Sequence, residues 1–240
     1  MKTATLCCLF VLIGVATAVA QDVTVTANVV LINSAKKNRA RAAGHVVLWL
    51  TPTGDQSVTG FPVPAASARP RLVQRNKSFE PHILVVPVGS IVEFPNRDPF
   101  FHNVFSLFDG KRFDLGLYEA GSTRNVAFDK PGVSYIFCNI HAEMSAVVIA
   151  VSTPYYGISD LRGQVTIAGV PAGRYNLHIW YDEASPEALS TMTREVTISP
   201  DAPSLGALRL PAMSLPQGHQ NMYGHDYPPP VPDSPSYERH

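Results

Sequence analysis

The sequence predicts an all-β protein. Short apolar runs rich in Val, Ile, Phe and Tyr recur along the chain, and many of its 21 prolines and 16 glycines fall between them. This spacing is typical of strands joined by turns. No long stretch repeats its apolar residues with the 3.6-residue period of a helix. The length of 240 residues allows one or two such domains.

The charge of the chain is balanced, with 19 basic and 19 acidic side chains. A formal net charge of zero gives no electrostatic reason to expect a nucleic acid or an anionic membrane as a partner. The hydrophobic fraction of 45% is ordinary for a globular protein. We therefore expect a folded protein that does not bind nucleic acid.

Residues 1–20 have the pattern of a secretory signal peptide. Lys2 is followed by an apolar run at 6–15, and Ala18-Val19-Ala20 has the small-x-small pattern of a cleavage site. A membrane anchor is the alternative, but the run is short for a span and no charged stop follows it. We expect Sec-type export with cleavage after Ala20, a periplasmic or secreted location, and no membrane span.

The N-terminal β segment and linker occupy residues 21–70 of the expected mature chain. Strands are expected at 23–32 and 45–51, with a polar connection at 33–44. The proline-rich stretch at 62–70 is expected to be a linker that leads into the next unit.

Removal of the signal peptide leaves one cysteine. Cys7 and Cys8 lie within the leader, so Cys138 has no partner for an internal disulfide in an oxidising compartment. It is a buried small hydrophobic residue, an intermolecular bridge or a metal ligand. Its neighbours decide among these alternatives.

Cys138, His141 and Met144 recur at intervals of three residues. β-rich runs at 133–137 and 145–152 flank them, which places all three at a strand end and on the following loop. A thiolate, an imidazole and a thioether together suit copper better than calcium or magnesium. Zinc is the next candidate, but a thioether is a poor zinc ligand. Each residue alone has an ordinary packing explanation, and it is the combination that indicates a metal site.

A second imidazole is expected from His102. It follows an apolar strand at 90–95 and a polar turn at 96–99, and Asn103 comes directly after it. Asn103 is the candidate for a hydrogen bond that supports the ligands from outside and ties its own segment to that of Cys138. His45, His82 and His178 are weaker candidates, because each stands in a β-like run without a partner at a useful spacing.

These motifs, in this order, resemble those of the cupredoxin family, which includes plastocyanin, pseudoazurin and amicyanin. The resemblance covers about a third of the chain. The matching pieces are Phe79-Glu80-Pro81, VGSIVEFPN at 88–96, His102-Asn103-Val104, FDKPG at 128–132 and Cys138-x-x-His141-x-x-Met144.

The resemblance implies a Greek-key β-sandwich for residues 71–153 that binds one type 1 (blue) copper ion. It implies three equatorial ligands and one weak axial ligand. The equatorial ligands would be His102, Cys138 and His141, and the axial ligand Met144.

For function, the resemblance implies an electron carrier rather than an enzyme, because four protein ligands leave no position for a substrate. Electrons would pass through His141 to a periplasmic redox protein whose identity the sequence does not give. The candidate electron-transfer surface is Phe100, Phe101, Ile140 and Ala142. Two alternatives stay open: copper storage or delivery, and a cell-envelope scaffold with an accessory copper site.

Residues 154–212 are expected to form a second, small β-sandwich. Val170-Pro171-x-Gly173-x-Tyr175 resembles the carboxypeptidase regulatory-like fold, and the unit contains no catalytic constellation. Because it is small for independent stability, the N-terminal strands are expected to complete its sheet. The whole arrangement, with a distinct connection at 105–125, resembles larger plastocyanin-like proteins labelled methylamine-utilisation-like, a label from which no methylamine chemistry is inferred.

The C-terminal residues 213–240 are rich in proline and polar residues and are expected to be disordered or extended. Their Met and His residues also suggest a copper-capture arm. We favour an ordinary solvated tail, because the spacing of these residues fits no fixed site. They are Met213, His219, Met222, His225 and His240.

Overall fold

The computed structural model describes residues 22–33, 39–54, 65, 68–107, 110–211 and 220–227. The expected leader, most of the expected linker and much of the C-terminal tail lie outside these residues. The first three strands are β1 (Asp22–Asn33), β2 (Arg39–Ala42) and β3 (Val47–Pro52). Nine strands follow: β4 (Val73–Arg75), β5 (Ser78–Glu80), β6 (Ile83–Pro87), β7 (Ser90–Pro95), β8 (His102–Ser106), β9 (Phe113–Tyr118), β10 (Thr123–Phe128), β11 (Gly132–Cys138) and β12 (Ser145–Val151).

The last elements are β13 (Tyr156–Ile158), β14 (Gln164–Pro171), β15 (Gly173–Trp180), the helix α1 (Pro186–Met192), β16 (Arg194–Ile198) and β17 (Ser204–Pro211). The helix begins where Ser185 accepts a hydrogen bond from the N–H of Ala188 and Pro186 takes the first helical position. Strands dominate the described residues, so the all-β prediction is confirmed. Within those residues, no helix combines the length and the apolar character needed to cross a membrane.

Strands β4–β12 form what we call the central sandwich. One layer is a five-stranded sheet in the order β6-β12-β11-β8-β9, and the other contains β7 paired with β10. The short β4–β5 hairpin joins this second layer through parallel bridges from Arg71 to Glu93 and from Gln74 to Asn96. Large apolar side chains such as Phe94, Phe128 and Ile136 fill the space between the layers.

Strands β1–β3 and β13–β17 form the terminal sandwich, whose two sheets have the orders β14-β1-β17 and β13-β3-β15-β16. Thus β1 and β3, from the start of the chain, lie between strands from its end, and their apolar residues share one core with them. The segment at 33–44, expected to be a polar connection, contains β2, which pairs with β1.

The two sandwiches meet along an apolar interface. Val147, Ile149 and Val151 of β12 pack against Val47 of β3 and Trp180 of β15. Because β12 is covered on both faces, it reads as an almost unbroken apolar run, SAVVIAV, rather than as an alternating strand. This interface holds the five-stranded sheet, on which the candidate site is built, against the terminal sandwich.

Candidate metal centre

The loop that joins β11 to β12 brings Cys138, His141 and Met144 together at one end of the central sandwich. The strands are paired up to Phe137 and Ser145, so the loop begins and ends at neighbouring points. The Cys138 N–H donates to the Met144 carbonyl at 3.2 Å, and the Met144 N–H donates to the His141 carbonyl at 3.1 Å. These bonds close the loop, which we call the ligand loop (residues 138–144).

His102 reaches this loop from the adjacent strand. It is the first residue of β8, which lies beside β11 with Val104 opposite Cys138. The carbonyl of Asn103 accepts the N–H of Asn139 at 3.0 Å, which fixes the start of the ligand loop to β8. Strand pairing alone therefore brings together residues 36 positions apart in the sequence.

Both imidazoles direct Nδ1 at the same sulfur. The Cys138 Sγ lies 3.5 Å from His102 Nδ1 and 3.6 Å from His141 Nδ1. The three ligand atoms lie within 4.8 Å of one another. Among the described residues, it is the one group of three or more histidine, cysteine or acidic side chains whose possible ligand atoms lie this close together.

Met144 is the last residue of the ligand loop. Its side chain is fully buried and belongs to the same apolar cluster as Cys138. His102 and Cys138 are also fully buried, whereas His141 is only partly covered. The four residues proposed from the sequence thus lie on two adjacent strands and one loop, with His141 nearest the solvent.

Asp98 is a neighbour of this site that the sequence reasoning missed. Its Oδ2 lies 2.8 Å from His102 Nε2, and the carboxylate is almost completely buried. With Nε2 donating to Asp98, the lone pair of the neutral ring is on Nδ1, the atom that faces Cys138. The signal in the sequence was an acidic residue four positions before a candidate ligand histidine, within the turn before β8.

The turn of the β4–β5 hairpin supports Asp98 from the other side. Asn76 and Lys77 both have a φ of +53°, as a tight two-residue hairpin turn of type I′ requires. Their N–H groups donate to Asp98 at 2.6 and 3.0 Å. Burial alone would raise the pKa of Asp98, but the hydrogen bonds from His102 and these two amides hold it below its usual value.

The residues present fit a copper ion of the kind the resemblance implies. Metal–sulfur and metal–nitrogen bonds of about 2.3 and 2.0 Å separate sulfur and nitrogen ligands by about 3.5–3.7 Å at tetrahedral to trigonal angles. The two observed sulfur–nitrogen distances, 3.5 and 3.6 Å, lie within this range. Two imidazoles and a thiolate, with a thioether on the same loop, form the donor set that copper prefers over hard cations.

Burial sets the protonation of these ligands. It lowers the pKa of both His102 and His141, which favours the neutral imidazoles that a metal needs. Burial raises the pKa of Cys138, despite N–H groups directed at the sulfur from Ile140, Asn103 and His141. The metal-free thiol is therefore protonated near neutrality, and metal binding must release its proton.

Asn103 connects the two ligand segments through its main chain. Its side chain bonds to β9, where Nδ2 donates to Asp114 Oδ1 at 2.9 Å. The contact with the Cys138 segment that we expected of this residue is made by its carbonyl instead.

Of the expected surface residues, Phe100 contacts the partly covered His141. The Phe100 ring contacts the rings of both His102 and His141, with centroid distances of 5.2 and 5.5 Å. Phe101 and Ile140 are 43% and 44% exposed, and Ala142 is exposed as well. Exposed apolar side chains therefore flank His102 and His141 along the chain.

The three weaker histidine candidates have other partners or positions in the fold. His82 bonds to Ser145 and Asp182, and His178 stacks on Trp49 with centroids 5.0 Å apart. His45 adopts a positive φ of +66° in the connection before β3. None of them belongs to the group around Cys138.

Comparison with solved structures finds cupredoxins that match about a third of the chain. The "Novel Purple Cupredoxin from Nitrosopumilus maritimus" is 22% identical with a TM-score of 0.32, over 34% of this chain and 99% of that one. A reduced mutant of amicyanin is 20% identical with a TM-score of 0.34, over 36% of this chain and 86% of that one.

A copper-containing nitrite reductase (NirK) from Thermus scotoductus SA-01 is 24% identical with a TM-score of 0.34, over 38% of this chain. The matched region spans only 25% of the reductase. No protein-family description matches the chain, and no curated protein is significantly similar to it.

Proposed function

We propose that this protein is an exported electron carrier with a single type 1 copper site. His102, Cys138 and His141 would be the equatorial ligands and Met144 the weak axial ligand. The observation that carries the proposal is the approach of two imidazole Nδ1 atoms to one buried cysteine sulfur, at 3.5 and 3.6 Å. A bound copper ion would supply reversible one-electron chemistry between Cu(I) and Cu(II).

The protein's contribution is to hold these ligands in one arrangement. His102 is fixed at the start of β8 by Asp98, and the ligand loop is closed by its own hydrogen bonds. Ligands that cannot follow the preferences of either oxidation state keep one compromise geometry, so little rearrangement accompanies electron transfer. This rigidity favours a carrier over a store, since storage requires ligands that release the metal readily.

Electrons would enter and leave through His141. It is the least buried of the four proposed ligands, and the exposed side chains of Phe101 and Ile140 lie nearby. An apolar surface of this kind suits brief docking of another redox protein. Because four protein ligands would complete the coordination, we propose no enzymatic reaction at the copper.

We further propose that the terminal sandwich is a carboxypeptidase regulatory-like module that serves as a scaffold. Its strands bury an apolar core of their own. It packs on the face of the five-stranded sheet that points away from the core of the central sandwich. Export through the leader at 1–20 would bring the protein to the periplasm, which is an oxidising compartment. An unpaired cysteine needs an explanation there, and metal binding would supply it.

The visible spectrum of the oxidised, copper-loaded protein tests the ligand set. We expect intense absorption from the bond between Cu(II) and the Cys138 thiolate, with one copper per chain. Cys138→Ala should remove this absorption even where some copper is still bound. An oxidised protein that binds one copper without the intense band, or a Cys138→Ala variant that retains it, would refute the assignment.

Copper retention on reduction separates a carrier from a store. We expect the reduced protein to keep its copper through repeated cycles and to exchange electrons rapidly with a small redox protein. Ala142→Glu should slow this exchange at least severalfold and leave the spectrum unchanged, because it disturbs docking and not ligation. Loss of copper on reduction, together with no effect of Ala142→Glu, would favour storage or delivery.

A further inference from the structure

A segment near the C-terminus folds into a compact turn, residues 220–227, which we call the tail turn. The Asn221 side-chain oxygen accepts the N–H groups of Tyr223 and His225 at 2.9 and 3.1 Å. The Asn221 N–H donates to the His225 carbonyl at 2.9 Å, and the Gly224 N–H donates to the Asn221 carbonyl at 2.9 Å. Gly224 supplies the positive φ, +76°, that the reversal requires.

This turn is bonded to the ligand loop at two points. The hydroxyl of Tyr227 donates to the carbonyl of Cys138 at 2.6 Å. The N–H of Met222 donates to the side-chain oxygen of Asn139 at 2.9 Å. The pairs are 89 and 83 residues apart in the sequence, so only the tertiary structure brings them together.

The two contacts add to hydrogen bonds that the start of the ligand loop makes with its own end and with β8. The N–H of Cys138 is bonded to Met144, and the N–H of Asn139 is bonded to Asn103. The Cys138 carbonyl and the Asn139 side chain accept from the tail turn instead. The start of the ligand loop is therefore held on one side by β8 and on the other by the tail turn.

We propose that the tail turn is a clamp that keeps the ligand loop closed over Cys138, with Tyr227 as its main positioning residue. Tyr227 acts through the peptide group of Cys138 and does not itself approach a metal. The clamp restrains the loop in the metal-free protein as well as in the loaded one. Only its consequence for copper rests on the proposed function.

The reactivity of the Cys138 thiol in the metal-free protein measures the clamp directly. In a chain that starts at Gln21, Cys138 is the single cysteine. It is fully buried, so a thiol reagent reaches it only when the loop opens. Loss of one hydrogen bond of ordinary strength should raise the open population roughly threefold to tenfold.

We therefore expect Tyr227→Phe to raise the alkylation rate by that factor, and Asn139→Ala to do the same from the other contact. Tyr223→Phe is the matched control, since the Tyr223 ring is 71% exposed on the same turn. If the two contacts act as one clamp, the double variant Tyr227→Phe/Asn139→Ala should react little faster than the faster single variant. Equal rates in Tyr227→Phe, Tyr223→Phe and the parent protein would overturn the proposal.

Hydrogen exchange of the ligand-loop amides gives a second readout that does not depend on thiol chemistry. Tyr227→Phe should lose protection there and nowhere in the terminal sandwich, which also excludes general unfolding as the cause. In the copper-loaded protein, the same variant should lose copper faster than Tyr223→Phe. If Tyr227→Phe opens the loop but the parent protein binds no copper, only the proposed function is refuted. If the parent protein binds copper normally but Tyr227→Phe does not open the loop, only this inference is refuted.

Discussion

At the scale of single residues, Asp98 determines which ring nitrogen of His102 has its lone pair toward Cys138. A neutral imidazole has one donor and one acceptor nitrogen, and the partner of the first decides the position of the second. The buried carboxylate, whose Oδ2 lies 2.8 Å from Nε2, accepts a hydrogen bond from the Nε2–H, so the lone pair of the neutral ring is on Nδ1, toward Cys138. The same carboxylate gives the ring a fixed orientation before any metal arrives.

We expect Asp98→Asn to lower copper affinity by roughly 10- to 100-fold, the usual cost of losing such a support. The colour should persist, because the thiolate ligand is unchanged. The reduction potential should rise, since a neutral amide stabilises Cu(II) less than a carboxylate does. Competition with a copper chelator and a redox titration measure the two effects.

Asp114→Asn is the matched control for this experiment. Asp114 is also hydrogen-bonded to the β8 segment, through the side chain of Asn103, but it does not contact His102. Equal affinities for the Asp98→Asn and Asp114→Asn proteins would mean that the carboxylate does not position the ligand.

At the scale of elements, the β4–β5 hairpin is part of the site although it carries no ligand. Its two-residue turn adopts positive φ at Asn76 and Lys77, and this conformation directs both N–H groups at Asp98. An asparagine tolerates the left-handed region far better than a β-branched residue does. The turn chemistry and the support of His102 are therefore linked.

Replacement of Asn76 tests this link. We expect Asn76→Val to lower the free energy of unfolding by about 1–2 kcal/mol, because a β-branched residue is strained at positive φ. Asn76→Gly should be tolerated, because glycine adopts this conformation freely. Denaturant unfolding of the two metal-free variants gives the comparison.

The chelator assay then asks whether the turn matters for the metal. Asn76→Val should also weaken copper binding, since its N–H would no longer be directed at Asp98, whereas Asn76→Gly should bind as the parent does. The same stability and the same affinity in both variants would show that the turn is not required in this conformation.

At the scale of the whole molecule, His82 joins the two sandwiches at the edge of their apolar interface. Its Nε2 lies 2.9 Å from Asp182 Oδ2 of the terminal sandwich, and its Nδ1 lies 3.2 Å from the carbonyl of Ser145 in the central one. Both partners are acceptors, so both contacts are satisfied only when the ring carries two protons. The hydrogen bond to Asp182 outweighs burial and raises the pKa of His82.

A raised pKa in the folded state makes the stability of the protein depend on pH. The contribution of His82 is fully present below its unfolded pKa of about 6.5 and is lost as the pH rises through the higher pKa of the folded protein. Because the two side chains are 45% and 47% exposed, we expect only about 0.2–1 kcal/mol. Unfolding of the metal-free protein between pH 5 and about 9 measures it.

Asp182→Asn should flatten this part of the pH profile, because it removes the acceptor that favours the charged ring. Asp201→Asn, at an exposed aspartate in the β16–β17 connection, should leave the profile unchanged. A profile that is identical in the parent, Asp182→Asn and Asp201→Asn proteins would mean that His82 does not stabilise the interface through its charge.

The class of the fold, and the grouping of His102 with Cys138 and His141, could be predicted from the sequence. Turn residues between β-rich runs are a local signal, and so is the spacing of Cys138, His141 and Met144 on one loop. His102 could also be predicted, because it follows a strand and turn in an order that resembles a known family. Each of these inferences needs only neighbours along the chain or a known pattern of motifs.

Which distant groups support that site depends on the tertiary structure. Asp98 became a partner of His102 because the turn before β8 and the β4–β5 hairpin fold against each other, and Tyr227 reached Cys138 from 89 residues away. β12 is covered on both faces because a second sandwich packs on it. Such contacts depend on how strands pair and layers stack. A hydrogen bond between residues that are far apart in the sequence produces no periodic pattern from which it could be predicted.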